Sequence, residues 1–152
     1  MLPPRSVIAV LLLVLVIAPN RSSAAEPTAA GRIKVVSGSV FVVRGDVATR
    51  AALGQALFEA DTLRTGTDGR VGVTLNDDTR VSLGPGSEAR INQFVYAPAE
   101  GRVGLVLNIV RGVIAYVSGR IAKLSPDAVK LETPNAIVGV RGTTLTLRVD
   151  AP

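Results

Sequence analysis

The stretch Arg70-Val71-Gly72-Val73-Thr74-Leu75-Asn76-Asp77-Asp78-Thr79-Arg80-Val81-Ser82-Leu83 decides the fold class. Val71, Val73 and Leu75 share one face, and Arg70, Gly72 and Thr74 share the other. After the turn residues Asp77 and Asp78, Val81 and Leu83 repeat the pattern. A period of two belongs to strands with one buried face. Outward from this stretch the pattern persists. Ala89 and Ile91 alternate with Glu88, Arg90 and Asn92. Val103, Leu105, Leu107 and Ile109 form the longest stripe, and Leu145, Leu147 and Val149 alternate with Thr144, Thr146 and Arg148.

Turn signals divide these runs at short intervals: Gly38, Gly45, Gly66 with Asp68-Gly69, Gly84-Pro85-Gly86, Gly101, Gly112, Gly119 and Pro126. Only residues 51–60 (AALGQALFEA) suit a helix by propensity, and Gly54 limits them to a short turn. The expected fold is all-β: a stack of short strands, solenoid-like or a sandwich, with little or no helix outside the targeting segment.

Residues 1–25 read as that segment. Arg5 is followed by the unbroken apolar run Val7 to Ala18, then Pro19-Asn20, then the small residues Ser22-Ser23-Ala24-Ala25. This is the order of a secretory signal peptide, with cleavage expected after Ala25. The apolar run of 12 residues is short against the roughly 20 that span a bilayer. A membrane association is therefore expected only if the segment is retained. The organisation read from the sequence is a signal peptide (1–25), a short leader (26–30), one β-domain (31–149) and a tail (150–152). The expected destination is the periplasm.

The chain has 152 residues, a formal net charge of +5, and neither Cys nor His. Thiol nucleophiles, Ser-His-Asp triads, disulfides and the usual zinc and haem sites are thereby excluded. Loss of Arg5 and Arg21 with the targeting segment lowers the charge to +3. No basic run survives, and Phe41, Phe58, Phe94, Tyr96 and Tyr116 are the only aromatics, so no nucleic-acid partner is expected. Asp68, Asp77 and Asp78 lack calcium-loop spacing and suit turns. Glu59, Asp61, Glu88 and Glu132 fall beside turns or on outward faces, not in a cleft that would raise one carboxyl pKa for glycoside hydrolysis. Gly84-Pro85-Gly86 lacks the third glycine and the helix of a dinucleotide loop. No enzymatic activity, catalytic residue, metal or cofactor is expected.

Two features carry binding hypotheses. Arg70, Arg80, Arg90, Arg102, Arg111 and Arg120 recur every nine to twelve residues. They align as a ladder for an anionic glycan if all strands climb in one direction, and divide between two ends if the strands alternate. Edge charges that discourage aggregation are the plainer explanation. The second feature is the run from Thr133 to Leu145. It reads as a strand, a tight turn at Arg141-Gly142 and a final strand. Alternatively, Gly139 and Gly142 let backbone approach a ligand that Arg141 contacts.

These residues also carry a resemblance. Leu63-Arg64-Thr65-Gly66, the Val71 to Leu83 stretch, Arg111-Gly112-Val113, Val129-x-Leu131-x-Thr133-Pro134-x-Ala136 and Val140-Arg141-Gly142-Thr143-Thr144-Leu145 together resemble the FecR domain. The likeness extends over residues 31–149. Two positions depart from the family's habit: Asp78 stands where glycine is common, and Leu145 where Phe is frequent. The family's regulators join a cytoplasmic anti-sigma segment, one transmembrane helix and this domain in the periplasm, relaying the state of an outer-membrane iron-siderophore receptor. No sigma-binding segment is read before the apolar run of residues 7–18, so only the extracytoplasmic part of this arrangement is expected to carry over. The resemblance implies a non-enzymatic binding or scaffolding module for another envelope protein, with Asp77, Thr79, Thr133, Pro134, Arg141, Gly142 and Thr143 as motif residues. Strand-edge addition is the expected contact mode.

Overall fold

A computed structural model describes residues 23–142 and 144–151; the targeting segment lies mostly outside them. Each alternating stripe forms a strand. In chain order these are β1 (Gly31–Ser37), β2 (Val40–Arg44), β3 (Val47–Arg50), β4 (Ala56–Leu57), β5 (Thr62–Thr65), β6 (Arg70–Leu75), β7 (Arg80–Leu83) and β8 (Glu88–Ala97). There follow β9 (Arg102–Val117), α1 (Arg120–Leu124), β10 (Val129–Thr133), β11 (Ala136–Gly139) and β12 (Thr144–Val149). The all-β expectation with little helix holds. Residues 51–60 contain no helix, only turns at Leu53-Gly54 and Glu59-Ala60 around the two-residue β4.

The twelve strands make one curled sheet, with every pairing antiparallel except β9 with β10. Its two halves share β9. Sheet A runs β4-β1-β6-β7, then the second half of β9, then β12. Sheet B runs β3-β2-β5-β8, then the first half of β9, then β10 and β11. Their inner faces meet in a core that includes Val73, Leu83, Ile114 and Tyr116 from sheet A and Val42, Ile91, Leu105 and Ile109 from sheet B. An apolar gap of about 20 Å³ between the halves has room for no more than a water-sized molecule.

The curl is made where β9 changes partners. A bulge opposite Glu88-Ala89 shifts the inward set from Leu105, Leu107 and Ile109 to Ile114 and Tyr116. Gly112 follows the bulge with φ of +96°. A side chain there would meet the Ser87 Oγ at 2.1 Å and Cα at 2.4 Å. Ser87 takes that space as a clasp, accepting the Val113 N–H on its Oγ at 3.0 Å. Its own N–H donates to Thr65 Oγ1, at 2.8 Å.

The two long seams of the curl differ. Between β3 and β4 the chain crosses from one half to the other. It stitches them with bonds from Ala51 N–H to Val40 O and from Ile33 N–H to Gln55 O, at 2.8 and 3.0 Å. At the opposite seam, β11 and β12 each pair on one side only among the described residues. The Arg141-Gly142 turn therefore does not close a hairpin; it carries the chain from sheet B to sheet A. Pro134 and Asn135 instead form a two-residue hairpin loop joining β10 to β11. Ala30, at the end of the expected leader, is already buried, and its N–H donates to Leu57 O at 2.7 Å.

Because Gly112 combines a left-handed backbone with a contact no side chain can share, Gly112→Ala is expected to cost about 3 kcal/mol or more. Chemical denaturation followed by circular dichroism would measure it; a loss below about 1 kcal/mol would mean that β9 bends without this contact.

Candidate functional site

Asp77 and Thr79 are both fully buried. The Asp77 carboxylate accepts the Thr79 N–H (3.1 Å), the Thr79 hydroxyl (2.7 Å) and the Ile121 N–H at the start of α1 (3.2 Å). The Asp77 carbonyl accepts the Arg120 N–H at 2.7 Å. Gly119 lies so close that a Cβ would stand 2.3 Å from the Thr79 nitrogen. The β6–β7 turn thus locks the only α-helix among the described residues onto the sheet. Asp78 completes the turn with φ of +68°, which is why glycine suits this place. With both its carboxylate oxygens accepting protein donors, Asp77 holds the turn and the helix together.

A second buried carboxylate corrects the sequence reading. Asp61 is 1% exposed instead of solvated, and Arg44 grips it with two bonds of 2.8 and 2.7 Å. The Phe58 N–H donates to the same carboxylate at 2.9 Å, and the Arg44 guanidinium lies 4.6 Å from the Phe58 ring centre. The hydrogen bond to Asp61 raises the Arg44 pKa further. This pair ties β2 to the turn before β5. Alternation did not reveal it, because Asp61 stands in a turn outside any stripe.

The remaining motif residues gather near the open seam. Thr133 and Ala136 close the β10–β11 hairpin through reciprocal 3.1 Å bonds of the Thr133 hydroxyl. Val140, Arg141 and Gly142 line a groove of about 450 Å³ with Lys123, Pro126 and Ser118. The Ser118 hydroxyl donates to the Gly142 carbonyl. Arg141 is 85% exposed and stands 3.8 Å from the equally open Asp127, so little holds it. Around Gly139 and Gly142 the space is open. Neither glycine is required by packing. Thr143 lies outside the described residues. A second groove, about 580 Å³, separates the β10–β11 hairpin from β12 and is lined by Pro134, Ala136, Val138, Leu147 and Val149. Ile137 on β11 is 69% exposed.

The six spaced arginines are not brought together in one line, because the strands alternate. Arg70 and Arg80 lie at opposite ends of the β6–β7 hairpin. Arg102 opens β9 beside Glu100, and Arg111 stands at its middle beside Glu88. Arg120 pairs with Asp78 at 3.0 Å, and Arg90 lies within β8 between Thr62 and Asn108. Ala25 sits in exposed chain without regular structure ahead of β1.

This arrangement of turn lock, hairpin and crossing loop is written in the very residues that a family model recognises. The model for the FecR protein family matches residues 61–152. The chain belongs to the FecR family. Comparison with curated proteins and with solved structures gave no match. The family comprises non-enzymatic signalling and regulatory domains. In this FecR domain the motif divides in two: Asp77, Thr79 and Thr133 are spent inside the fold, whereas Arg141 and Gly142 face solvent.

Removing the Asp77 carboxylate strands buried donors, so Asp77→Ala is expected to lower stability by about 3 kcal/mol, measured by denaturant titration. Asp77→Asn should lose less, since it keeps an acceptor. Tyr116 reports on the same corner. Its buried hydroxyl lies beside Ser118, Thr79 and the Asp77 carboxylate without a well-formed hydrogen bond. Burial, first, raises its pKa above 10.0. The unfolded chain therefore ionises first: the stabilisation is complete below pH 10, and is lost as pH rises through the folded value. Tyr116→Phe should remove that alkaline loss; unfolding free energies of both proteins across this range would show parallel curves if it does not.

Proposed function

We propose that this FecR domain is an exported, extracytoplasmic binding module that takes an extended segment of another envelope protein along β11. One observation carries the reading: among the described residues β11 offers an unpaired backbone edge beside an open groove of mixed polar and apolar lining. A sheet edge supplies main-chain hydrogen bonds to an incoming strand, and side-chain pockets beside it supply selectivity. Exposed Ile137, half-buried Val138 and the groove residues Leu147 and Val149 provide the apolar part. The other free edge of sheet B, β3, is equally short but exposed throughout, and it ends in Arg50. Export rests on the order of charge, apolar run and small residues before Glu26.

A photo-crosslinking residue at position 137 in the full chain, expressed in a cell envelope, is expected to give a discrete product from a species beginning at Glu26. The same residue at position 47 on β3 should give none. Ile137→Lys should abolish binding of that partner with little change in Tm, because the site is exposed. Equal products from both edges, or binding indifferent to Ile137→Lys, would defeat the β11 reading.

A further inference from the structure

The strand register assembles a cationic row that the sequence keeps apart. Phe41 on β2 pairs with Arg50 on β3 and Arg64 on β5. Arg64 pairs with Glu88 on β8, and Glu88 with Arg111 on β9. The row Arg50–Phe41–Arg64–Glu88–Arg111 therefore crosses five strands on the outer face of sheet B. At the usual strand spacing the row is about 19 Å long, and successive arginines stand about 10 Å apart. Arg90, one step along β8 on the same face, is exposed.

Glu88 does not cancel the row. It is 17% exposed, beneath Arg64 (47%) and Arg111 (43%), at 3.3 and 3.4 Å from them. The carboxylate accepts the Nε and Nη2 edge of Arg64 and lies beside Arg111 Nη2, and both arginine side chains stay partly exposed. Arg111 Nε is buried there with no hydrogen-bond partner. Across sheet A the row Val35, Gly72, Ser82, Ala115 and Thr146 is neutral, and the row Arg32, Thr74, Arg80, Val117 and Thr144 holds two arginines without an aromatic ring between them. The row on sheet B is distinguished by three arginines in one line, with a half-buried phenyl ring between two of them.

We propose that this outer face of sheet B binds an anionic polysaccharide, laid across the strands along the row. Guanidinium forks match carboxylate and sulfate groups in a two-bond geometry that suits Arg over Lys. The Phe41 ring offers a flat apolar platform to a sugar face. Single-stranded nucleic acid calls for successive aromatic platforms, and the row has one. The face is separate from the β11 edge, so either function stands without the other.

Heparin and polygalacturonate serve as probes, with calorimetric titration of the purified chain lacking residues 1–25. Arg50→Ala with Arg64→Ala should weaken heparin binding about tenfold or more. Arg70→Ala with Arg80→Ala removes the same charge from sheet A and should change it less than about twofold. Glu88→Gln should tighten binding, a result that misfolding cannot imitate. Three outcomes would overturn the proposal: no binding of either polysaccharide, equal weakening by both double variants, or equal affinity for single-stranded DNA lost through the same residues.

Discussion

The bend of β9 governs the rest of this molecule. A strand of 16 residues has to serve two layers, and its inward set must change parity where the layers meet. The bulge opposite Glu88-Ala89 supplies the extra residue, and Gly112 supplies a backbone no side chain would tolerate there. The space thus left is filled by Ser87, whose hydroxyl and backbone bind Val113 and Thr65. Since β7, β8, β10 and β12 all pair with β9, an error at this point would misplace strands of both layers.

Buried polar groups elsewhere follow the same logic. Asp77 anchors α1 and its own turn; Asp61 anchors the turn before β5; Thr65 and Ser87 bind each other across the loop opposite the bend. Each lies where strands stop and the backbone would otherwise leave donors unsatisfied. The chain has no cysteine, so no disulfide backs up these turns. The family motif is accordingly in large part a record of how the turns are locked, and a match to it identifies the fold more surely than a ligand.

What could be read from the residues divides along physical lines. Stripes such as Val71-Val73-Leu75 were legible because burial on one face leaves a period of two. Asp78 was legible as a turn residue, since the position calls for a left-handed backbone. Strand direction was not, for antiparallel and parallel neighbours bury the same stripe. That is why six evenly spaced arginines suggested a ladder and the structure scatters them. Arg50, Arg64 and Arg111 were invisible as a group, because register alone makes them neighbours. Asp61 was misjudged as solvated, for its partner Arg44 lies 17 residues away on another strand. The Pro134-Asn135 hairpin was not legible either, for it depends on Thr133 reaching Ala136.

The asymmetry between the two seams connects fold to function. A curled sheet has two long edges to protect, since unpaired strands attract other chains. Here the chain closes one itself, by passing residues 51–57 from layer to layer with hydrogen bonds to β1 and β2. At the other, the described residues Val140, Arg141 and Gly142 lead the chain across, where open space surrounds Gly139 and Gly142 and Arg141 is held by one long, exposed ion pair. Stability alone would favour a closed hairpin there, as at Thr133 to Ala136. The motif residues that the fold does not consume lie along the seam left open, which makes that seam the place where selection on something other than folding can act.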